Sequence, residues 1–171
     1  SIMATKELSN NDVRALIRDR AGDLWAGTAG GGLTRWRNGQ IDEFTTKNGL
    51  AHDSVRAIHE DEKEAGVLWI GTSGGLSRFK NGRISTITRR QGLWDDLINY
   101  IVEDNAGYLW ISCSRGIFGV QKRELADIAD ARSSSIYPIC FDESDGMPDN
   151  TTRGQKGQPA GCRTRDGRIW F

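Results

Sequence analysis

The sequence predicts an all-β fold built from a repeated four-stranded unit, and three observations support that prediction. First, a short motif that contains a turn glycine, an apolar residue and a tryptophan recurs four times, at Trp25, Trp69, Trp110 and Trp170. Second, the first three of these tryptophans are spaced 44 and 41 residues apart, a period typical of repeat architectures. Third, 21 glycines and six tryptophans in 171 residues suit short strands joined by tight turns.

The first unit contains four predicted strands separated by strong turn signals. Asp19-Arg20-Ala21-Gly22 predicts a short hairpin loop, because Asp accepts bonds from nearby amides and Gly tolerates a positive φ. Asn38-Gly39 predicts a two-residue hairpin between the last two strands. The predicted strands lie at 13–18, 24–28, 32–37 and 40–45.

The second and third units repeat this order, with one insertion. Asn81-Gly82 is again the last hairpin of the second unit, whereas the third unit replaces that turn with residues 122–132. Leu125, Ile128 and Ala129 have helical spacing there, so we expect a short surface helix. The predicted strands lie at 54–60, 68–72, 75–79 and 83–88 in the second unit, and at 97–103, 109–113, 117–121 and 136–141 in the third.

Four strands in about 41 residues, with a tryptophan in the second strand, are typical of a β-propeller blade. A four-stranded sheet cannot bury both faces alone, whereas stacked blades bury them against each other. A fourth unit contributes only two predicted strands, at 161–165 and 169–171. We therefore predict that residues 1–171 form a β-propeller fragment of about three and a half four-stranded blades, with the repeat tryptophans buried between them. The predicted blades lie at approximately 9–46, 51–89, 94–142 and, incomplete, 147–171.

Composition excludes several classes of partner. Lys+Arg and Asp+Glu both number 23, so the chain has no electrostatic footprint for nucleic acid. Cys113, Cys140 and Cys162 lack the spacing of metal ligands, and no motif predicts a metal or a cofactor. We interpret the three cysteines as small buried hydrophobes; one disulfide with an odd thiol is the alternative.

The repeated motif resembles the two-component regulator propeller repeat. Its pattern is V-x-x-[IL]-x-x-D, a short turn, then G-x-L-W-[IA]-G-T-x-G-G-L-x-R-[FW]-x-N-G. Residues 13–39, with one extra glycine, and residues 55–82 carry two full copies. The third copy departs from the pattern at Ser112-Cys113-Ser114-Arg115, where Gly-Thr-x-Gly is expected. The resemblance covers nearly the whole chain.

This resemblance implies a non-enzymatic, ligand-sensing portion of a two-component-type signalling receptor. In such proteins the propeller lies in the periplasm, outside the inner membrane. A small β-domain, a membrane span and a cytoplasmic histidine kinase or diguanylate cyclase follow it. Family propellers have about seven blades or more. The resemblance therefore implies that this chain is a fragment of a membrane-anchored protein.

Two alternatives from other classes remain open. Streptogramin-lyase-like propellers also carry D-G-x-[LI]-W-[FI] repeats and are metal-dependent enzymes, but neither His52 nor His59 lies in a recognisable catalytic motif. A protein-interaction propeller without a small-molecule ligand is the second alternative. Substrate turnover with added magnesium would support the enzyme, and protein capture without small-molecule binding would support the interaction propeller.

Polar pairs just before the first strand of each unit predict a ligand site. The innermost strands of a propeller surround its axis, so these positions converge on one mouth of the central channel. The second column has the residue types that cap turns, namely Asn11, Asp53, Asp96 and Asn150. The first column varies more in type, which suits positions without a structural role: Asn10, His52, Asp95 and Asp149.

We predict that a polar small molecule or peptide, with a sugar as one alternative, contacts His52, Trp94 and Asp95. Trp94 is included because it replaces Ala51 and Pro148 of the neighbouring repeats and lies in a connection. Packing beneath that loop is the alternative role for its ring. The remaining members of the predicted ligand-binding face are Asp53, Asp96, Asn10 and Asp149.

The incomplete fourth unit predicts self-association. Two strands leave a sheet edge and a blade face uncovered, and exposed edges pair readily with another chain. The N-terminal segment 2–6 is a candidate to supply a strand to that pairing.

Overall fold

Three four-stranded antiparallel sheets account for most of the chain in a computed structural model, which describes residues 10–147 and 161–171. In each sheet the strands lie side by side in chain order. The first sheet consists of β1 Val13–Arg18, β2 Leu24–Thr28, β3 Leu33–Arg37 and β4 Gln40–Phe44. The second consists of β5 Val55–Glu60, β6 Leu68–Thr72, β7 Gly75–Lys80 and β8 Arg83–Ile87. The third consists of β9 Ile98–Glu103, β10 Tyr108–Cys113, β11 Gly116–Gln121 and β12 Ile139–Phe141.

A two-stranded hairpin completes the described strands. It pairs β13 Cys162–Arg163 with β14 Ile169–Trp170. The helix α1 Lys122–Ala129 stands between β11 and β12, as the insertion predicts. The all-β prediction is therefore confirmed, with four-stranded antiparallel sheets and little helix. No described helix is long and apolar enough to cross a membrane.

Turn chemistry explains why the strands begin and end where they do. Asn38 and Gly39 both have positive φ, 49° and 79°, as a two-residue type I′ hairpin requires. Asn81 and Gly82 repeat this geometry with φ of 51° and 77°. The first eleven predicted strands are accordingly confirmed to within one residue at each end.

Single-turn 3₁₀ helices lead from one sheet to the next, at Thr46–Asn48, Arg89–Gln91 and Glu143–Asp145. Each has a reciprocal capping box and ends at a left-handed glycine. These turns account for the recurring glycine at Gly49, Gly92 and Gly146. The first two of these turns return the chain from the outermost strand of one sheet to the innermost strand of the next.

The last strand of the third sheet is shorter than predicted. The sequence predicts 136–141, but β12 begins at Ile139. Pro138 has no N–H for a ladder bond, and the N–H of Ile136 donates to the carbonyl of Gln91 at 2.9 Å. Ile136 is therefore buried as part of the connection rather than the strand.

The innermost strands β1, β5 and β9 lie next to each other, and β13 follows β9. Each of them pairs with its own sheet on one side only. We call the side where these strands begin the upper mouth, and the side where they end the lower mouth. This arrangement, sheets radiating from adjacent inner strands, places the two ends of every inner strand on opposite surfaces of the molecule.

The repeat tryptophans are buried only where a neighbouring sheet covers them. Trp25 and Trp69 are each 1% exposed, as predicted. Trp110 is only half-buried, and Trp170 is 58% exposed. The prediction of burial is wrong for Trp170, because no described sheet packs over that side of the last hairpin.

A repeated hydrogen bond ties each tryptophan to its own hairpin. The indole Nε1 of Trp25 donates to Asp19 at 2.8 Å, and Trp110 donates to Asp104 at 2.8 Å. The Trp69 indole makes the equivalent bond at 3.2 Å to Asp61. These bonds satisfy an N–H group in the core and fix the hairpin at the lower mouth.

The three cysteines differ in burial, and none of them forms a disulfide within the described residues. Cys113 is buried, and its burial raises the pKa of the thiol to about 11. Cys140 is half-buried and Cys162 is exposed. The interpretation of three buried hydrophobes is therefore correct for Cys113 alone.

Candidate functional site

The first column of predicted site residues forms a rim at the upper mouth. Asn10, His52 and Asp95 each accept a hydrogen bond from the backbone N–H two residues later, at 2.8, 2.9 and 3.2 Å. These are Asx-type turns, and a histidine ring nitrogen replaces the oxygen in the second blade. The idea that this column has no structural role is therefore wrong. Asp149, its fourth member, lies outside the described residues.

The second column joins successive sheets. Asp53 accepts a bond from the N–H of Thr46 at 2.6 Å, and Asp96 accepts one from the N–H of Arg89 at 2.7 Å. Each donor is the first residue of the preceding 3₁₀ helix. The interpretation of these two aspartates as turn caps is confirmed, whereas Asn150 lies outside the described residues.

Trp94 and Asp95 come together with the turn between β10 and β11. The Arg115 guanidinium lies 4.8 Å from the Trp94 ring centroid, and the ring meets Phe118 edge-on at 6.3 Å. Asp95 accepts a bond from the Ser114 N–H at 3.1 Å. Trp94 is half-buried and packs against the core. Part of its ring therefore has the packing role that the sequence left open as the alternative to ligand contact.

Each of these rim residues lies against the turn that joins the second and third strands of its own blade. The side chain of His52 lies beside Gly74, where an added Cβ would be 3.1 Å from the His52 Cβ. Asn10 stands in the same relation to Gly30, at 3.4 Å. The predicted rim is thus a set of equivalent, ordered positions on neighbouring blades. Ligand contact at this rim stays a prediction.

Sequence reasoning missed a second layer at the same mouth, which we call the bulge row: Arg14, Arg56 and Asn99. Each is the second residue of an innermost strand and lies where the register with the neighbouring strand shifts. A β-bulge interrupts the regular ladder at its extra residue and redirects the side chain of that residue. The available signal was a polar second residue in three otherwise apolar strand starts.

The bulge row contains two arginines and one asparagine. The Arg56 Nε donates to the Asn99 side-chain oxygen at 3.1 Å, so the row connects the second and third blades. Burial and the nearby positive charge of Arg14 lower the pKa of Arg56. Arg14 has an ion pair with Asp12 at 3.3 Å.

A buried ionic cluster occupies the lower mouth. Glu103 accepts bonds from His59 Nε2 at 3.1 Å and from Lys122 Nζ at 2.5 Å, and Lys122 also pairs with Asp61 at 2.7 Å. Burial opposes ionisation of Glu103, but the bonds from His59 and Lys122 outweigh it and lower the pKa of Glu103 to about 2. This cluster joins the second and third blades through groups that satisfy each other.

Two pockets in the described part of the chain lie at the lower mouth, and neither is lined by His52, Trp94 or Asp95. One, of about 360 Å³, lies along the inner strands, and its lining includes His59, Tyr100, Glu103, Cys162 and Arg163. The other, of about 310 Å³, lies beside α1, and its lining includes Asp61, Trp69, Arg78 and Lys122. Within residues 10–147 and 161–171, no group of three His, Cys, Asp or Glu side chains could hold a metal ion.

Together, the radiating four-stranded sheets and the repeated mouth geometry define a β-propeller. The family model described as "Two component regulator propeller" matches residues 7–30, which confirms the resemblance. No curated protein matches the chain significantly.

Solved structures from signalling proteins share this fold. One is the extracellular domain of a protein described as a hybrid two component system of B. thetaiotaomicron. It has 25% identity and a TM-score of 0.76 over 99% of this chain and 21% of its own. A second hybrid system of that organism has 26% identity and a TM-score of 0.73 over 94% of this chain and 22% of its own. The chain thus spans about a fifth of each of these structures.

A propeller enzyme also shares the fold. The virginiamycin B lyase of Staphylococcus aureus has 17% identity and a TM-score of 0.58 over 93% of this chain and 48% of its own. Identity this low shows the common fold alone.

Proposed function

We propose that this chain is a ligand-sensing, non-enzymatic portion of a two-component-type signalling receptor. The observation that supports it is the likeness to extracellular domains of two component systems over 94–99% of this chain, at 25–26% identity. The match to the regulator propeller repeat supports it independently. In this proposal the propeller is periplasmic and belongs to a membrane-anchored protein with a kinase or cyclase output module.

The ligand in this proposal is a polar small molecule or peptide at the upper mouth, with His52, Trp94 and Asp95 in contact with it. The described rim supplies an amide, an imidazole and a carboxylate, from Asn10, His52 and Asp95, at equivalent places on neighbouring blades. Rigid turns hold these groups, which lowers the entropy cost of binding. The proposal is limited to the upper mouth, because the polar groups at the lower mouth bond mainly to one another.

Binding by calorimetry tests the proposal. A library of polar metabolites, sugars and short peptides is screened against the chain, and each hit is measured again with His52→Ala, Trp94→Ala and Asp95→Ala. We expect at least one ligand whose affinity falls about tenfold in these variants, the loss typical of one good polar contact. His59→Ala is the matched control, because it removes the other histidine at the opposite mouth. Unchanged affinity in all three folded variants would place the site elsewhere.

A further inference from the structure

The bulge row carries an inference about ligand chemistry. Three neighbouring innermost strands have a bulge at the same position, and two of the three bulged residues are arginines. Bulges occur often beside functional sites because they redirect one side chain without disturbing the rest of the strand. Arg14 is exposed and Arg56 is half-buried, and the buried positions beside them are Ala15 and Ala57.

The row places two arginines at equivalent positions of adjacent innermost strands, at one mouth of the molecule. Arg56 is held in place by its 3.1 Å bond to the neutral amide of Asn99. Burial lowers the pKa of Arg56, and repulsion by the positive charge of Arg14 lowers it further. A negative group bound beside both would relieve this repulsion.

We propose that Arg14 and Arg56, with Asn99, bind an oxyanion group of a small molecule at the upper mouth, such as a carboxylate or a sulfate. This inference rests on the proposed function and assigns a charge to its ligand. The planar guanidinium fork matches the paired oxygens of such groups and can bind them through two parallel hydrogen bonds. The rim residues, at the same mouth, would then contact the remainder of the molecule.

The balance of charge favours a small anion over an anionic polymer. A polymer is recognised by an extended basic surface, whereas this chain has equal numbers of acidic and basic residues. Asp12, which pairs with Arg14 at 3.3 Å, and Asp95 also lie at the upper mouth. A small oxyanion would have to displace Asp12 from Arg14, and a long polyanion would meet both carboxylates. Two arginines and an amide in one row suffice for a single oxyanion.

Solution NMR with sulfate as the probe tests the oxyanion site. Sodium sulfate is titrated against sodium chloride at constant ionic strength, and the side-chain Nε–H signals of the arginines are followed. We expect saturable shifts of the Arg14 and Arg56 signals, and binding about tenfold weaker or more in Arg56→Gln. Arg83→Gln is the control, because Arg83 is exposed on an outermost strand. Equal sulfate binding in Arg56→Gln and wild type, or no shift at Arg14 and Arg56, would overturn the proposal.

Two further measurements keep the test decisive. If Arg56→Gln does not fold, Arg14→Gln and Arg56→Lys replace it. Lysine keeps the positive charge but cannot form two parallel hydrogen bonds, so weaker sulfate binding is also expected for Arg56→Lys. Glucuronate and glucose then compare one ring with and without a carboxylate, and tighter binding of glucuronate is expected. A neutral ligand that needs His52 and Asp95 but not Arg56 would refute the oxyanion site and leave the proposed function intact.

Discussion

The glycine in the second strand of the first two blades, Gly27 and Gly71, is expected to be required by the neighbouring blade. A Cβ added at Gly71 would lie 2.5 Å from Ile98 Cγ2 and 3.1 Å from Ile98 Cβ. Ile98 is fully buried, and both strands are held by their ladders, so neither side can move away freely. Gly27 stands in the same relation to Val55, at 2.3 Å.

Gly71→Ala should therefore destabilise the chain. Overpacking of a filled core costs about 1–3 kcal/mol, while replacement of a strand glycine by alanine returns about 0.5–1 kcal/mol of backbone entropy. A net loss of about 1–2 kcal/mol is expected. Urea unfolding followed by tryptophan fluorescence measures it as a lower midpoint with an unchanged slope.

A double-mutant cycle isolates the contact. Ile98→Ala alone should cost about 2–5 kcal/mol through the cavity it leaves. In the Gly71→Ala background the new methyl group occupies part of that cavity, so the double variant should be about 1–2 kcal/mol more stable than the sum of the single effects. Gly30→Ala is the control, because its added Cβ would meet only Asn10 Nδ2, at an ordinary 3.4 Å. Additive effects, or equal losses at Gly71 and Gly30, would refute this reasoning.

Two further predictions concern pH and assembly. The folded-state pKa of Glu103, about 2, lies below its ordinary 4.5, so its ionised form stabilises the fold above about pH 4.5, and that stabilisation disappears as the pH falls towards 2. Glu103→Gln should remove this part of the acid sensitivity, on the order of 3 kcal/mol; an unchanged stability profile between pH 5 and 2 would contradict it. Leu16, 59% exposed, and Trp170, 58% exposed, lie on uncovered blade faces, so light scattering should show a dimer that Leu16→Glu weakens. A monomer at every concentration would refute self-association.

Much of the fold can be predicted from the sequence because its turns are local. Asn38-Gly39 and Asn81-Gly82 admit few conformations other than the hairpin they form, and the glycine after each 3₁₀ turn marks the passage to the next blade. The start of β12 is less predictable. It depends on the distant carbonyl of Gln91, which accepts a hydrogen bond from the Ile136 N–H. Ile136 therefore cannot use that N–H to pair with a neighbouring strand.

The upper mouth could be predicted only in part. The asparagine, histidine and aspartate at the strand starts indicate turns, and the structure shows those turns. The bulge row could not be read from one strand, because a bulge is a property of register between two strands. The burial of Trp170 likewise depends on whether a neighbouring sheet covers it, and the local sequence Ile169-Trp170 does not determine this.

The turn at His52 also determines which hydrogen-bonding groups the upper mouth offers. Its Nδ1 accepts the Ser54 N–H at 2.9 Å, so Nδ1 carries no proton and the proton of the neutral ring lies on Nε2. His52 is exposed, so this Nε2–H is a donor at the rim. The guanidinium groups of Arg14 and Arg56 add further donors one layer below. Asp95, in contrast, already accepts bonds from Leu97 and Ser114. In the proposed site, an anionic group would therefore meet the Nε2–H of His52 and the two guanidinium groups, and it would compete with the Asp12 carboxylate for Arg14.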